Sequence, residues 1–410
     1  MQNQMLNPPN VMQVISDLDI GGAQEVVRTL VEYLAAGGNQ PVVCTFRDGP
    51  LRQDIEQLGI KVEVLPQRRY SVVALPLFIA DMIHICKSLA ELIEKHKIDV
   101  LQTHLLRSLD FLVLPLLYTT NLRVVLWTFH NASFELTADR LPGHKWLLTP
   151  KKYSHRFLYR WGSHLGGDFI AVSDKVAKAM LRTIGPIQDK VTVICNGVDV
   201  KRYQKPGDRI KVRSQLGLQA KTRLVAIAAT LKEQKGHRYL IEAMTSIVPR
   251  YPELHVLFIG DGDLRGELQA QVKRLGMGDR IHFLGNRSDV PELLAASDFF
   301  VLPSLWEGLP MALLEAMATG LPIVATEVSG TVQVMIPNET GILVPPGDAQ
   351  HLAEAIEHII SDATLAQAMG AAARRRVKAE FSAQKQADEH LALYRRLLSR
   401  TLSKNDQGRQ

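Results

Sequence analysis

Short apolar runs recur along the first half of this chain, at 11–16, 42–46, 62–65, 100–104, 124–129, 169–173 and 191–194. Stretches of mixed polarity with helical periodicity separate them. Strand-like runs alternating with helices predict a parallel α/β sheet. A second set follows at 224–229, 255–260, 281–285, 299–302, 322–326 and 341–344, which predicts a second sheet. Between the sets stands Asn196-Gly197-Val198-Asp199, a turn signal followed by the polar, basic stretch 201–213. Helical patterns then occupy 349–381 and 383–402. The reading is an N-terminal Rossmann-like domain over 1–199, a second over 200–381, a terminal helix over 382–402 that packs back on the first domain, and a disordered polar tail over 403–410.

Ligands of such sheets bind beyond the carboxyl ends of the strands, so the residues there are the candidates. After the first run comes Gly21-Gly22 and then a helix expected over 25–36. The spacing is not that of a dinucleotide fingerprint, and a bare tight turn is the alternative. His104 and His130 close the fourth and fifth runs; a structural role competes with a functional one at each. After the first run of the second set comes Lys235-Gly236, where a lysine can hold a phosphate as a point charge or be one more surface lysine.

The richest stretch is 299–326: a buried strand, a loop, a helix opening at Pro310 and a second buried strand. Proline suits a first helical position, Gly308 lets backbone approach a ligand closely, and the free N–H groups of Leu309–Met311 with the helix dipole favour an anion. Glu307 lies just outside the helix start, and Glu315 about a turn and a half inside it. Two carboxylates so placed fit hydroxyls at either end of an elongated ligand, such as a sugar joined through phosphates to a ribose. Two surface glutamates on an amphipathic helix are the plainer account.

Composition narrows the class. The chain has 410 residues, 46% hydrophobic and 22% charged, which are globular values for two or three domains. Three separated cysteines, Cys44, Cys86 and Cys195, give neither a disulfide framework nor metal-ligand spacing; each reads as a small buried residue, and no metal is expected. The net charge of +6 is a mild basic bias. The N-terminal decapeptide is polar, and the most apolar run, 72–86, is interrupted by Pro76, Asp81 and His84 and is too short to span a bilayer. The expectation is a cytoplasmic protein able to bind peripherally to the inner face of the membrane. Such a surface is suggested by 140–167, which holds six Lys/Arg and no Asp or Glu, interleaved with Trp146, Tyr153, Phe157, Tyr159 and Trp161. A solvated basic helix whose aromatic face packs on the domain is the alternative. No nucleic-acid motif accompanies the patch.

The stretch SLWEGLPMALLEAMATGLPIVAT resembles the donor-binding signature of the GT4-like family of retaining glycosyltransferases, which have the GT-B fold of two Rossmann-like doubly wound domains facing a cleft. The resemblance implies a hexosyltransferase that moves a sugar from a UDP- or GDP-sugar to a hydroxyl of a glycan or lipid-linked acceptor in cell-envelope synthesis. The nucleotide-sugar is a co-substrate, and no cofactor or metal is needed. It implies catalytic roles for His130, Glu307 and Lys235. It implies donor binding by Gly21, Gly22, Lys235, Asn286, Arg287, Glu307, Gly308, Leu309, Pro310, Met311 and Glu315.

One departure stands out. The family pattern Gly-Arg-Leu-x3-Lys-Gly, whose two cations clamp the donor diphosphate, here reads Ala229-Thr230-Leu231, with the lysine kept at 235. Lys232 or another cation substitutes, the donor is held differently, or the protein binds donor and turns over poorly. Three rivals follow: a non-catalytic nucleotide-sugar-binding protein, another enzyme class on the same fold such as an epimerase or a phosphorylase, and an NAD-dependent oxidoreductase, which lacks its glycine fingerprint. Thr230→Arg separates a decayed clamp, which it should activate, from an alternative one.

Overall fold

The computed structural model describes residues 8–65, 75–104, 107–130, 148–204, 209–219 and 221–407, with side chains left out at 75–79, 107–109, 148–155 and 402–407. The chain divides into two compact units, Met1–Cys195 with Gln384–Gln410, and Asn196–Ala383.

In the first unit the described strands are β1 (Val11–Ile15), β2 (Val42–Thr45), β3 (Lys61–Val64), β4 (Val100–His104), β5 (Val124–Phe129), β6 (Gly167–Ala171) and β7 (Val191–Val193). They form one parallel sheet in the order β3-β2-β1-β4-β5-β6-β7. The order reverses between β1 and β4, the topological switch point at which such sheets open a crevice. Gly21 and Gly22 follow β1, His104 ends β4 and His130 follows β5, so all four lie at that carboxyl edge. Every residue of β1 and β4 is buried, as expected of parallel strands covered on both faces.

The terminal helix Ala383–Gln407 completes this unit. Its Ala387, Leu393, Tyr394, Leu397 and Leu398 share a core with Val11, Leu30, Leu34, Val100, Leu126 and Ile170. The helix passes the expected stop at 402 and takes in Ser403–Gln407. Those residues are polar, but none is the glycine or proline that would break a helix, so 403–407 is not a disordered tail.

In the second unit β8 (Arg223–Ala228), β9 (Leu254–Ile259), β10 (Ile281–Gly285), β11 (Phe299–Leu302), β12 (Ile323–Thr326) and β13 (Ile342–Val344) form a parallel sheet ordered β10-β9-β8-β11-β12-β13. The order again reverses at its first strand, between β8 and β11. Val225, Ile227, Val256, Phe258, Val301 and Val324 make the centre of its core, covered by Leu240, Ile241, Met244 and Ile356. Two parallel Rossmann-like sheets are thus the observed fold, as the alternation predicts. Of the cysteines only Cys44 is fully buried; Cys86 and Cys195 are half-buried, which corrects the reading of all three as buried. Among the described residues no helix is long and apolar enough to cross a membrane.

Candidate functional site

In the second unit the loops after β8 and β11 meet at the carboxyl edge. The first ends in a short turn, Glu233–Lys235, closed by Gly236 in the left-handed conformation, φ 64°. A Cβ there would stand 2.0 Å from the Pro303 carbonyl oxygen, so only glycine lets the lysine loop lie flush on the loop after β11. The two are stitched by Leu305 N–H to Gln234 O, 2.8 Å, and by the Gln234 side-chain amide to Trp306 O, 2.8 Å.

This brings Lys235 and Glu307 together. The Lys235 ammonium donates to Glu307 Oε1 at 2.6 Å, and the Ser304 hydroxyl donates to the same oxygen at 2.7 Å. The carboxylate side chain is only 5% exposed and the lysine 21%, so the pair is shielded but reachable from the lysine side. Gly308 and Leu309 continue the loop, both buried, and Leu309 O accepts from the Asn196 amide at 3.3 Å. The helix runs Met311–Thr319, with Pro310 as its N-cap at φ −74°, ψ 118°. This corrects the placement of Pro310 as the first helical residue. The pyrrolidine ring fixes φ but leaves ψ free, and ψ here is extended. The helix start still offers the N–H groups of Met311 and its successors with no intrahelical partner, and Glu315 lies one turn further in, half-buried.

Other expected residues share this edge without joining the pair. Asn286 and Arg287 follow β10, both exposed, and the Arg287 guanidinium is engaged by Asp289 through two hydrogen bonds of 2.7 and 2.6 Å. Thr230 is exposed, as is Lys232, whose ammonium has no partner among the described residues. The sequence reading missed Arg265. The loop that carries it is bonded to the lysine loop, Leu231 N–H to Asp261 O at 3.0 Å and Leu264 N–H to Leu231 O at 3.1 Å, and its guanidinium pairs with Asp261 at 2.8 Å. His237, next after Gly236, is buried, and neither ring nitrogen has a partner among the described residues; burial, then nearby Lys235, holds its pKa down to about 3.

In the first unit Gly21 caps the helix Gly22–Ala36, which begins three residues before the expected start. The Gln24 side chain folds back so closely that a Cβ at Gly21 would meet its Oε1 at 2.5 Å. Its amide donates to Asp17 Oδ1 at 2.7 Å, and Arg47 donates to Asp17 Oδ2 at 3.0 Å. Burial pushes the Asp17 carboxyl up, but hydrogen bonds from Ser16, Gln24 and Arg47 outweigh it and hold the pKa below the usual value. An anionic anchor thus braces the glycine turn. The other expected residue, His130, lies 3.0 Å from His104, ring nitrogen to ring nitrogen. Burial, with His390 a lesser contributor, depresses the His130 pKa to about 4, and burial drives that of His104 well below its ordinary value. Both rings are therefore neutral at pH 7. Among the described residues there is no cluster of three or more potential metal ligands.

The model of the glycosyl transferases group 1 matches residues 208–376, and that of glycosyltransferase family 4 matches 20–202. The chain belongs to the group 1, family 4-type glycosyltransferases. This glycosyltransferase is 30% identical over 232 residues to the lipopolysaccharide core biosynthesis mannosyltransferase LpsB of Rhizobium meliloti, covering 55% of this chain and 66% of that one. It is 28% identical over 316 residues to the UDP-Gal:alpha-D-GlcNAc-diphosphoundecaprenol alpha-1,3-galactosyltransferase of Escherichia coli, covering 75% and 78%. Among solved structures, HepE of Anabaena in complex with UDP aligns with a TM-score of 0.75 at 23% identity, covering 96% of this chain and 100% of that one. At that identity the likeness is one of fold, and the fold is GT-B.

Proposed function

We propose that this glycosyltransferase moves a sugar from a UDP- or GDP-sugar to a hydroxyl of a glycan or lipid-linked acceptor, with the anomeric configuration retained. The observation that carries the reading is the Lys235–Glu307 pair at 2.6 Å, set between a glycine-closed loop and a helix start. A cation and helix N–H groups side by side suit a departing diphosphate, and a carboxylate beside them suits sugar hydroxyls. In the reaction the bond from the anomeric carbon to the diphosphate oxygen breaks, and the acceptor oxygen bonds to that carbon on the same face. The acceptor's proton passes to the departing phosphate. Lys235 and the Leu309–Met311 backbone stabilise the leaving charge, Glu307 orients the sugar and Glu315 the ribose. His130 hydrogen-bonds near the reacting sugar. Gly21 and Gly22 give the phosphates close approach to backbone. Asn286 and Arg287 contact the base. Lys232 and Arg265 supply positive charge where Thr230 supplies none.

HepE was solved with UDP, and the E. coli relative is named for a UDP-sugar and a lipid-linked diphosphate acceptor; both support this class of substrates. Proton NMR of the anomeric signal after transfer tests retention. The donor's configuration is expected in the product, and the opposite one contradicts the mechanism.

A lipid-linked acceptor requires approach to a membrane. The basic aromatic patch falls outside the described residues up to 147, and its side chains are described from Arg156. There the helix Leu148–His164 turns Tyr159 into the core, against Trp127, Phe129 and Phe169. Phe157 and Trp161 stay 67% and 50% exposed, one turn apart, beside exposed Arg156, Arg160 and His164. Aromatic rings flanked by cations suit the interface of an anionic bilayer. The protein is expected to sediment with phosphatidylglycerol vesicles and not with phosphatidylcholine vesicles. The Phe157→Ser/Trp161→Ser variant is expected to stay in the supernatant. Equal binding to both vesicles, or none, counts against the surface.

A further inference from the structure

β1 and β4 are buried throughout, yet Gln13 and Gln102 sit at their centres, fully buried. Neither belongs to the catalytic set, and both are hydrogen-bonded to residues of the terminal helix nearly three hundred or more positions away. Followed from its fixed end, the chain of contacts has only one direction. The Gln386 carbonyl can only accept, so His390 Nδ1, 2.8 Å away, carries a proton. A neutral His390 then presents a lone pair at Nε2, and the Gln102 amide nitrogen, 3.4 Å away, donates to it. That orientation turns Gln102 Oε1 to the Tyr394 hydroxyl, which donates to it. The same hydroxyl oxygen accepts from the Gln13 amide nitrogen at 3.2 Å. Gln13 Oε1 therefore accepts from His104 Nε2–H at 2.7 Å. His104 Nδ1 is left as a lone pair, and at 3.0 Å it accepts from His130 Nε2–H. One site remains at the end. His130 Nδ1 is buried and has no partner among the described residues.

We propose that this relay from the terminal helix fixes the tautomer of His130, so that its Nδ1 is a bare lone pair that accepts a hydrogen bond from a hydroxyl of the sugar or its acceptor. The identity of that hydroxyl rests on the transfer reading above; the tautomer does not. His104, Gln13, Tyr394, Gln102 and His390 are then positioning residues. They touch no reacting atom, yet they decide whether His130 receives a proton or offers one. The amides also settle a choice that an isolated pair of facing imidazoles leaves open, since either ring of such a pair can donate to the other. The depressed pKa values of His104, His130 and His390, to about 4 for the last two, keep all three rings neutral at pH 7, as the relay requires.

Two-bond nitrogen–proton correlation NMR reads histidine tautomers directly. The sample is the ligand-free full chain labelled at histidine, at neutral pH, with His130 assigned by its loss in His130→Gln. His130 and His104 are expected to be protonated at Nε2 alone, and His390 at Nδ1 alone. Protonation of His130 at Nδ1, or at both nitrogens, overturns the proposal. Tyr394→Phe removes the hydroxyl that joins Gln102 to Gln13 and nothing else. In that variant His390 should keep its tautomer while His104 and His130 lose their single one. Unchanged tautomers at His104 and His130 in folded Tyr394→Phe show that the relay does not set them. If Tyr394→Phe does not fold, the wild-type spectrum still decides. The protein carries no substrate in either measurement, so an inactive protein can pass the test and an active transferase can fail it.

Discussion

Lys235→Ala is expected to lower sugar transfer about 10²–10³-fold, the loss that follows removal of one preorganised group facing developing charge. The same substitution acts on the ligand-free protein. Glu307 is 5% exposed at its side chain and, among the described residues, keeps only Ser304 at 2.7 Å and Gln234 at 3.5 Å when the lysine is gone. Leaving a shielded carboxylate without its cation costs about 2–3 kcal/mol, less than for a fully enclosed pair because Lys235 itself is partly exposed. The two effects separate in the Lys235→Ala/Glu307→Gln variant. Removing the orphaned charge restores most of the stability and none of the transfer. Urea midpoints and initial rates on the wild type and the two variants check this. Transfer by Lys235→Ala within a few-fold of wild type contradicts the assigned role.

Acidification is expected to destabilise the protein well above the usual range of carboxylate titration. His130 and His390 fall to about 4 in the folded chain from 6.5, and His104 falls well below 6.5, all chiefly through burial. Between these values the unfolded chain binds more protons than the folded one. Stability therefore rises with pH in that window, and it is lost as pH falls from 6.5 toward 4. His130 and His390 each contribute about 2 kcal/mol of loss by pH 5, at 1.36 kcal/mol per pH unit, and His104 acts in the same direction. Because His104 and His130 are in contact and His390 acts on both electrostatically, their losses do not simply add. Trp127 is fully buried in the same unit, so its fluorescence follows this transition. A urea midpoint that stays level from pH 7 to pH 5 refutes the account of the neutral cluster.

These two expectations differ in how far the chain announced them. Lys235, Glu307 and the helix start were legible because a glycine-rich local motif fixes each of them, and local motifs survive in sequence. Strands were legible for a related reason. Parallel strands read as short apolar-rich runs between helical stretches, and 100–104, 124–129, 281–285 and 299–302 match β4, β5, β10 and β11 to the residue. Pro310 shows the limit of such reading, since its ring sets φ at a helix start but does not say on which side of the first helical residue it falls. The terminal helix ran past its expected end because polarity alone does not stop a helix.

What the chain hid was built from distant parts. Gln13 is an oddity in an apolar strand, and nothing near it predicts Tyr394, 381 positions away. Arg287 stands where the resemblance implies a contact to the base, and nothing in that resemblance predicts that Asp289 two residues on engages its guanidinium. Phe157 and Trp161 are exposed while Tyr159 turns inward, because the aromatic residues of 153–161 do not share one helical phase.

The most direct test of a donor site in the second unit is the thermal shift of the full chain with UDP, GDP, ADP and their sugar conjugates, alongside Lys235→Ala and Glu315→Ala. A nucleotide at about 100 times its dissociation constant should stabilise the protein by roughly 2.7 kcal/mol. The account predicts a shift with one base, larger for its sugar conjugate, and absent in both variants. No shift with any nucleotide, or a shift that both variants keep, contradicts it.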